Sequence, residues 1–110
     1  MLSKEYRLPA QTRLTQSLYF KTPLFVLRVA KNSLEYNRYG FVVRKAVDKR
    51  AVVRNRIRRL FRSCVEELLE EVKGGHDMLF LLERSIMDKE QKDLCNELKS
   101  FFEAKNLLNK

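Results

Sequence analysis

The sequence predicts an α+β fold, a two-layer sandwich with helices on one face of a small sheet, in the order α, β, β, α, β, α. Three observations carry that expectation. Two short segments rich in valine and aromatics precede a long segment with apolar residues at the helical period. A nearly unbroken apolar run follows that segment, and a second helical stripe closes the chain. At 110 residues the chain has room for one domain, 1–110, with a true hydrophobic core.

The first element is expected in "PAQTRLTQSLYF", where Ala10, Leu14 and Leu18 lie four residues apart behind Pro9, a residue suited to a first helical turn. Residues 24–31, "LFVLRVAK", and 38–45, "RYGFVVRK", read as strands, and the polar "NSLEYN" between them reads as the turn of an antiparallel pair. A helix is then expected from about Arg50 to Val72, because Val53, Ile57, Leu60, Phe61, Cys64, Val65 and Leu68 form one stripe. Gly74 and Gly75 are expected to end it. "DMLFLLE" at 77–83 is apolar on both faces, so it belongs in a central or parallel position. Behind Asp88, a candidate N-cap, Leu94, Cys95, Leu98, Phe101 and Phe102 recur at helical spacing to about Lys105. The sheet face away from the helices is left open for a ligand.

Charge narrows the function. The chain carries 23 Lys and Arg against 14 Asp and Glu, net +9. Residues 1–62 hold 16 basic and 3 acidic side chains, net +13, whereas residues 63–110 hold 7 and 11, net −4. One basic surface for a polyanion follows, with nucleic acid ahead of a membrane surface. No apolar run approaches the roughly 20 residues of a membrane span, and "MLSKEYRLPAQTRL" lacks the apolar core of a secretory signal, so the cytoplasm is the expected location. Cys64 and Cys95 sit among apolar residues and are expected to be buried, reduced thiols without chemistry.

The basic residues concentrate in "AVVRNRIRRLFRSCVEELLEEV", residues 51–72. At about 100° per residue, Arg54, Asn55, Arg58, Arg59 and Arg62 fall within about 140° of one another, beside the apolar stripe, and Arg56 falls on its far side. Arg44, Lys45, Lys49 and Arg50 lead into the helix, so residues 44–62 hold nine bases and one acid, Asp48. A solvated face mixes signs, as "EELLEEVK" does; this one does not, and arginine's planar fork suits phosphate.

The segment "RYGFVVRKAVDKRAVVRNRIRRLFRSCVEE" resembles the signature region of the bacterial ribonuclease P protein subunit. The likeness rests on Gly40, Lys45, Ala51, Arg54, Asn55, Arg56, Ile57, Arg58, Arg59 and Arg62, and extends more weakly over residues 25–84. The resemblance implies a left-handed βαβ crossover of a kind shared with a ribosomal protein domain, a hand opposite to the usual rule. It also implies a subunit of an endoribonuclease holoenzyme whose partners are ribonuclease P RNA and precursor tRNA, with no DNA and no membrane. RNA performs the hydrolysis with Mg2+ ions that it mainly holds itself; no dedicated protein metal site and no catalytic side chain are expected. The implied RNA-binding residues are Lys45, Arg50, Arg54, Asn55, Arg56, Arg58, Arg59 and Arg62. Tyr19, Phe20, Arg28 and Arg44 are the candidates for a cleft receiving the single-stranded 5′ leader.

This chain departs from the family pattern at Ala46, where a second lysine is common, and at Arg28, where the cleft usually has a tyrosine. Tyr19 and Phe20 are adjacent instead of a turn apart. These departures imply a cleft that relies more on charge than on stacking. The alternative is a stand-alone structural RNA-binding protein of ribosomal type. A DNA-reading helix-turn-helix lacks its short first helix and tight turn here. His76 reads as a solvated loop residue, Glu66, Glu67, Glu70 and Glu71 as a solvent face, and Tyr36 and Tyr39 as packing residues flanking a turn. No Walker loop, dinucleotide fingerprint or zinc spacing is present, which excludes those enzyme classes.

Overall fold

The computed structural model describes residues 7, 8 and 17–107. Among them the chain forms β1 (Leu18–Lys21), β2 (Phe25–Lys31), β3 (Arg38–Val42), α1 (Ala51–Leu68), β4 (His76–Leu82), a short 3-10 helix (Arg84–Asp88) and α2 (Gln91–Ala104). The four strands make one mixed sheet in the order β1-β2-β4-β3. β4 is antiparallel to β2 and parallel to β3, so β3, α1 and β4 form the crossover unit.

Alternation along the strands decides which face is buried. The register aligns Phe20, Leu27, Phe80 and Phe41 across the sheet on the face that meets the helices. Phe25, Leu27, Val29, Tyr39, Met78, Phe80 and Leu82 are buried there. From above, Ile57, Phe61, Cys64, Val65 and Leu68 of α1 and Leu94, Leu98 and Phe102 of α2 close the core. Phe80 sits at its centre, with ring centroids 4.8 Å from Phe61, 5.3 Å from Phe25, 5.8 Å from Phe41 and 6.4 Å from Phe102. The doubly apolar run at 77–83 accordingly occupies a central position and makes the sheet's parallel pairing.

Several expectations are corrected. The predicted first helix lies outside the described residues, except for its last part, and there Leu18–Phe20 are strand: β1 pairs with β2 along Leu18↔Val29 to Lys21↔Val26. β2 and β3 are not a hairpin, because β4 inserts between them and offers hydrogen bonds on both of its edges. α1 stops at Leu68, well before the glycines. Glutamates at 66, 67, 70 and 71 oppose the negative end of the helix dipole, and the chain turns so that Val72 is buried in the core. Gly74 instead allows close approach, since a Cβ there would lie 2.3 Å from the Glu35 carbonyl oxygen. Asp88 does not cap a helix; it ends the 3-10 segment, and α2 starts at Gln91. His76 is the half-buried first residue of β4, with its N–H donating to Asn37 Oδ1 at 2.8 Å.

Cys64 and Cys95 are not free thiols. They form a disulfide joining α1 to α2 over a separation of 31 residues, with Cα atoms 4.8 Å apart. The stripes of the two helices bring both cysteines to the helix crossing, within the span that a disulfide bridges.

Candidate nucleic-acid interface

The site begins where β3 leaves the sheet. Val43 is buried and Val47 packs on the core, so the connection is pinned while Arg44, Lys45 and Lys49 point to solvent. Asp48 then closes an Asx turn: its Oδ1 accepts the backbone N–H of Arg50 at 2.9 Å, immediately before the helix begins. Arg50 occupies the N-cap position without a side-chain cap, and no acidic residue stands in the first turn. Unmet N–H groups and the positive end of the helix dipole therefore add to the arginine charge.

α1 carries its arginines onward from this end, over about two and a half turns from Arg54 to Arg62. Val52, Asn55, Arg58, Arg59 and Arg62 line one shallow outward groove of about 420 Å³, with Val52 78% exposed. Within it Arg58 donates to Asn55 Oδ1. Arg62 lies over the Phe41 ring, 6.0 Å from its centroid, a cation–π contact that ties its stem to β3. Arg56 and Arg59 flank a second groove of about 340 Å³ with Leu60, Ser63 and Gln91, on the α2 side. Arg54 departs from this pattern. Its guanidinium turns back and donates to the carbonyls of Asp48 at 2.9 Å and Lys49 at 2.8 Å, so it braces the loop that enters the helix.

Arg50 also faces inward in part, giving a two-pronged contact to Asp48 at 3.1 and 3.0 Å. Arg84, from beyond β4, meets the same carboxylate at 2.9 Å. The side-chain and backbone hydrogen bonds from Arg50 hold the Asp48 carboxyl far below the usual carboxylate range, and the Arg84 charge adds to them against desolvation. Sequence reasoning noted Asp48 only as the one acid among nine bases and did not see Arg84. An aspartate two residues ahead of a helix N-cap is a turn signal that could have flagged the first; nothing local marks the second.

The leader-cleft candidates divide. Tyr19 stands opposite Arg28, and the row continues through Leu79 to Gly40, all on the sheet face away from the helices. Arg28 is exposed and Tyr19 is 58% exposed. Phe20 is not with them: it points to the other face, edge-on to Phe101 at 5.8 Å and below the Lys105 ammonium at 5.4 Å, because strand alternation parts neighbours. Arg44 lies at the end of the sheet where β3 and β4 finish, 3.6 Å from Glu83.

The opposite end of the sheet carries the acidic end of α1 and the turn that follows it. Glu66, Glu67, Glu70 and Glu71 share a cleft of about 610 Å³ with Glu35 and Tyr39. Nearby, Asp77 accepts two hydrogen bonds from Arg38, at 2.9 and 2.7 Å, and one from Asn32 at 3.0 Å. Among the described residues no group of three or more His, Cys, Asp and Glu side chains is placed to hold a metal ion, and no helix is long and apolar enough to cross a membrane.

The family model described as ribonuclease P matches residues 9–106. The ribonuclease P protein component of Clostridium botulinum (strain 657 / Type Ba4) is 34% identical over 91 residues, covering 82% of this chain and 81% of that protein. That of Alkaliphilus oremlandii (strain OhILAs) is 30% identical over 86 residues, covering 78% and 75%. Among solved structures, the ribonuclease P protein of Staphylococcus aureus superposes with a TM-score of 0.72 at 20% identity, covering 86% of this chain and 85% of that one. That of Thermotoga maritima gives 0.70 at 19%, covering 78% and 81%. An α+β sandwich with four described strands, a cationic helix after its third strand and a family match over nearly its whole length place this chain in the family of ribonuclease P protein components.

Proposed function

We propose that the chain serves as the protein subunit of a ribonuclease P holoenzyme in the cytoplasm, binding the catalytic RNA and the 5′ leader of precursor tRNA. The observation that carries this reading is the outward groove of α1, where Asn55, Arg58, Arg59 and Arg62 stand together on one face of a helix whose N-terminus is uncapped. Guanidinium forks and free backbone N–H groups bind phosphate oxygens without reading sequence, as a structured RNA requires. Lys45, Arg50 and Arg56 border that surface, while Arg54 supports it from within. The sheet face away from the helices, with Tyr19 beside Arg28, offers one aromatic and one cation to a single strand, and Arg44 stands at the end of that sheet.

Magnesium ions held mainly by the RNA supply the activated water for phosphodiester hydrolysis. This chain contributes screening and position: its cations offset phosphate repulsion between the RNA and its substrate, which lowers the magnesium that the complex needs.

Reconstitution with the cognate ribonuclease P RNA tests this. Cleavage of a leader-bearing precursor tRNA at low magnesium should require the protein. If the protein binds another RNA tightly and gives no stimulation, the stand-alone RNA-binding reading replaces this one.

A further inference from the structure

Two arginines from distant parts of the chain share one carboxylate at the start of α1. Asp48 has a side chain only 4% exposed, yet both partners remain open to solvent, Arg50 at 68% and Arg84 at 62%. Arg50 uses its Nε and one terminal nitrogen on Asp48, and Arg84 uses one terminal nitrogen. A guanidinium carries five N–H donors in one plane, so each arginine keeps unspent donors directed outward. The carboxylate has thereby already immobilised two long side chains that would otherwise lose rotamer freedom when a phosphate arrives. The same residue's carbonyl receives Arg54, so one aspartate organises three arginines.

We propose that Asp48 is a positioning residue of the RNA-binding surface and that Arg84 is a phosphate-contacting residue of it. The surface thus extends from α1 onto the first residue of the 3-10 helix, 36 positions further along the chain than Asp48. The inference rests on the reading of α1 as an RNA-binding helix. It opposes the expectation from bulk charge, by which removing an acid from a basic surface strengthens binding to RNA. Positioning predicts the reverse sign.

The test measures binding of the cognate ribonuclease P RNA transcript across a monovalent salt series, with circular dichroism melting of each variant. Arg84→Ala should weaken binding several-fold, lower the slope of log affinity against log salt by about one, and, because both Arg50 contacts to Asp48 remain, lower the melting temperature only slightly. Asp48→Asn keeps an oxygen for the Arg50 backbone N–H but removes the charge, and it should also weaken binding several-fold. That loss should vanish in a background of Arg50→Ala with Arg84→Ala, whereas a purely structural role for Asp48 would leave it in place. Equal or tighter binding by Asp48→Asn, or an unchanged affinity and slope for Arg84→Ala, overturns the inference. Arg84 is exposed, so its variant stays informative even if Asp48→Asn melts early. Arg58→Ala separates the two levels: if it loses affinity while the other variants do not, only this inference fails, and if none loses affinity, the RNA-binding reading of α1 fails as well.

Discussion

Replacing Arg54 with alanine should destabilise the protein more than it weakens RNA binding, the opposite of what its place in the arginine run suggests. The guanidinium gives two charge-assisted hydrogen bonds, to the Asp48 and Lys49 carbonyls at 2.9 and 2.8 Å. Such bonds contribute about 1.5–3 kcal/mol each when shielded. Discounted for the partial exposure of this side chain, the pair contributes about 2 kcal/mol. Unfolding entropy of about 2.1 cal/mol/K per residue gives about 0.23 kcal/mol/K for the whole chain, so the melting temperature should fall by about 9 °C. Arg58→Ala removes only an exposed contact to Asn55 and should melt within about 2 °C of the parent. Circular dichroism melts, paired with binding to ribonuclease P RNA, separate the two roles. The double variant should combine the stability of Arg54→Ala with the affinity loss of Arg58→Ala. If Arg54→Ala melts with the parent and binds as poorly as Arg58→Ala, the brace does not exist and Arg54 is a direct contact.

Three further outcomes are expected. Reduction of the Cys64–Cys95 bond should lower the melting temperature by as much as about 15 °C, since closing a 31-residue separation contributes about 3.7 kcal/mol in the chain-entropy account; a thiol titration alongside the melt checks it. Phe61→Ala, at the buried junction of the Phe25, Phe41 and Phe80 rings, should cost about 3–5 kcal/mol, read by urea unfolding with the slope unchanged. Acid should destabilise the fold below about pH 4. Burial alone would raise the Asp77 carboxyl, but hydrogen bonds from Arg38 and Asn32 and the Arg38 charge outweigh it, and Asp48 is lowered by Arg50. Both groups contribute stability that is present above the unfolded aspartate pKa, about 3.9, and is lost as pH falls through their lower folded values. Asp77→Asn should flatten that part of the pH–stability curve.

Periodicity made α1 legible, because Ile57, Phe61, Cys64, Val65 and Leu68 repeat over an 18-residue helix and all are buried. β4 was legible for the converse reason: both of its faces are apolar, and both of its edges are paired. Four-residue β1 is too short for alternation to outvote the spacing of Ala10, Leu14 and Leu18, so its residues read as helix. The hairpin expectation failed because adjacency in sequence does not reveal a strand that arrives after a crossover. A helical wheel places an arginine on a face but does not say that the stem is long enough to return, as that of Arg54 does. Pairing of Cys64 with Cys95 and of Asp48 with Arg84 depends on tertiary approach, over separations of 31 and 36 residues, and no local pattern encodes either.

The charges of α1 run against its own dipole at both ends: Arg50 at the N-cap and no acid in the first turn, Glu66 and Glu67 and no base in the last. Each misplaced charge costs about 0.3–1 kcal/mol near a helix end. The packed core bears that load in the free protein, and phosphates bound at the first turns, as proposed above, would relieve part of it. On the proposed function, folding and RNA binding are thermodynamically linked in this helix, and the free subunit holds in reserve a stability that its partner releases. A mutation that eased the helix by placing an acid at its start would yield a sturdier protein and a poorer ribonucleoprotein.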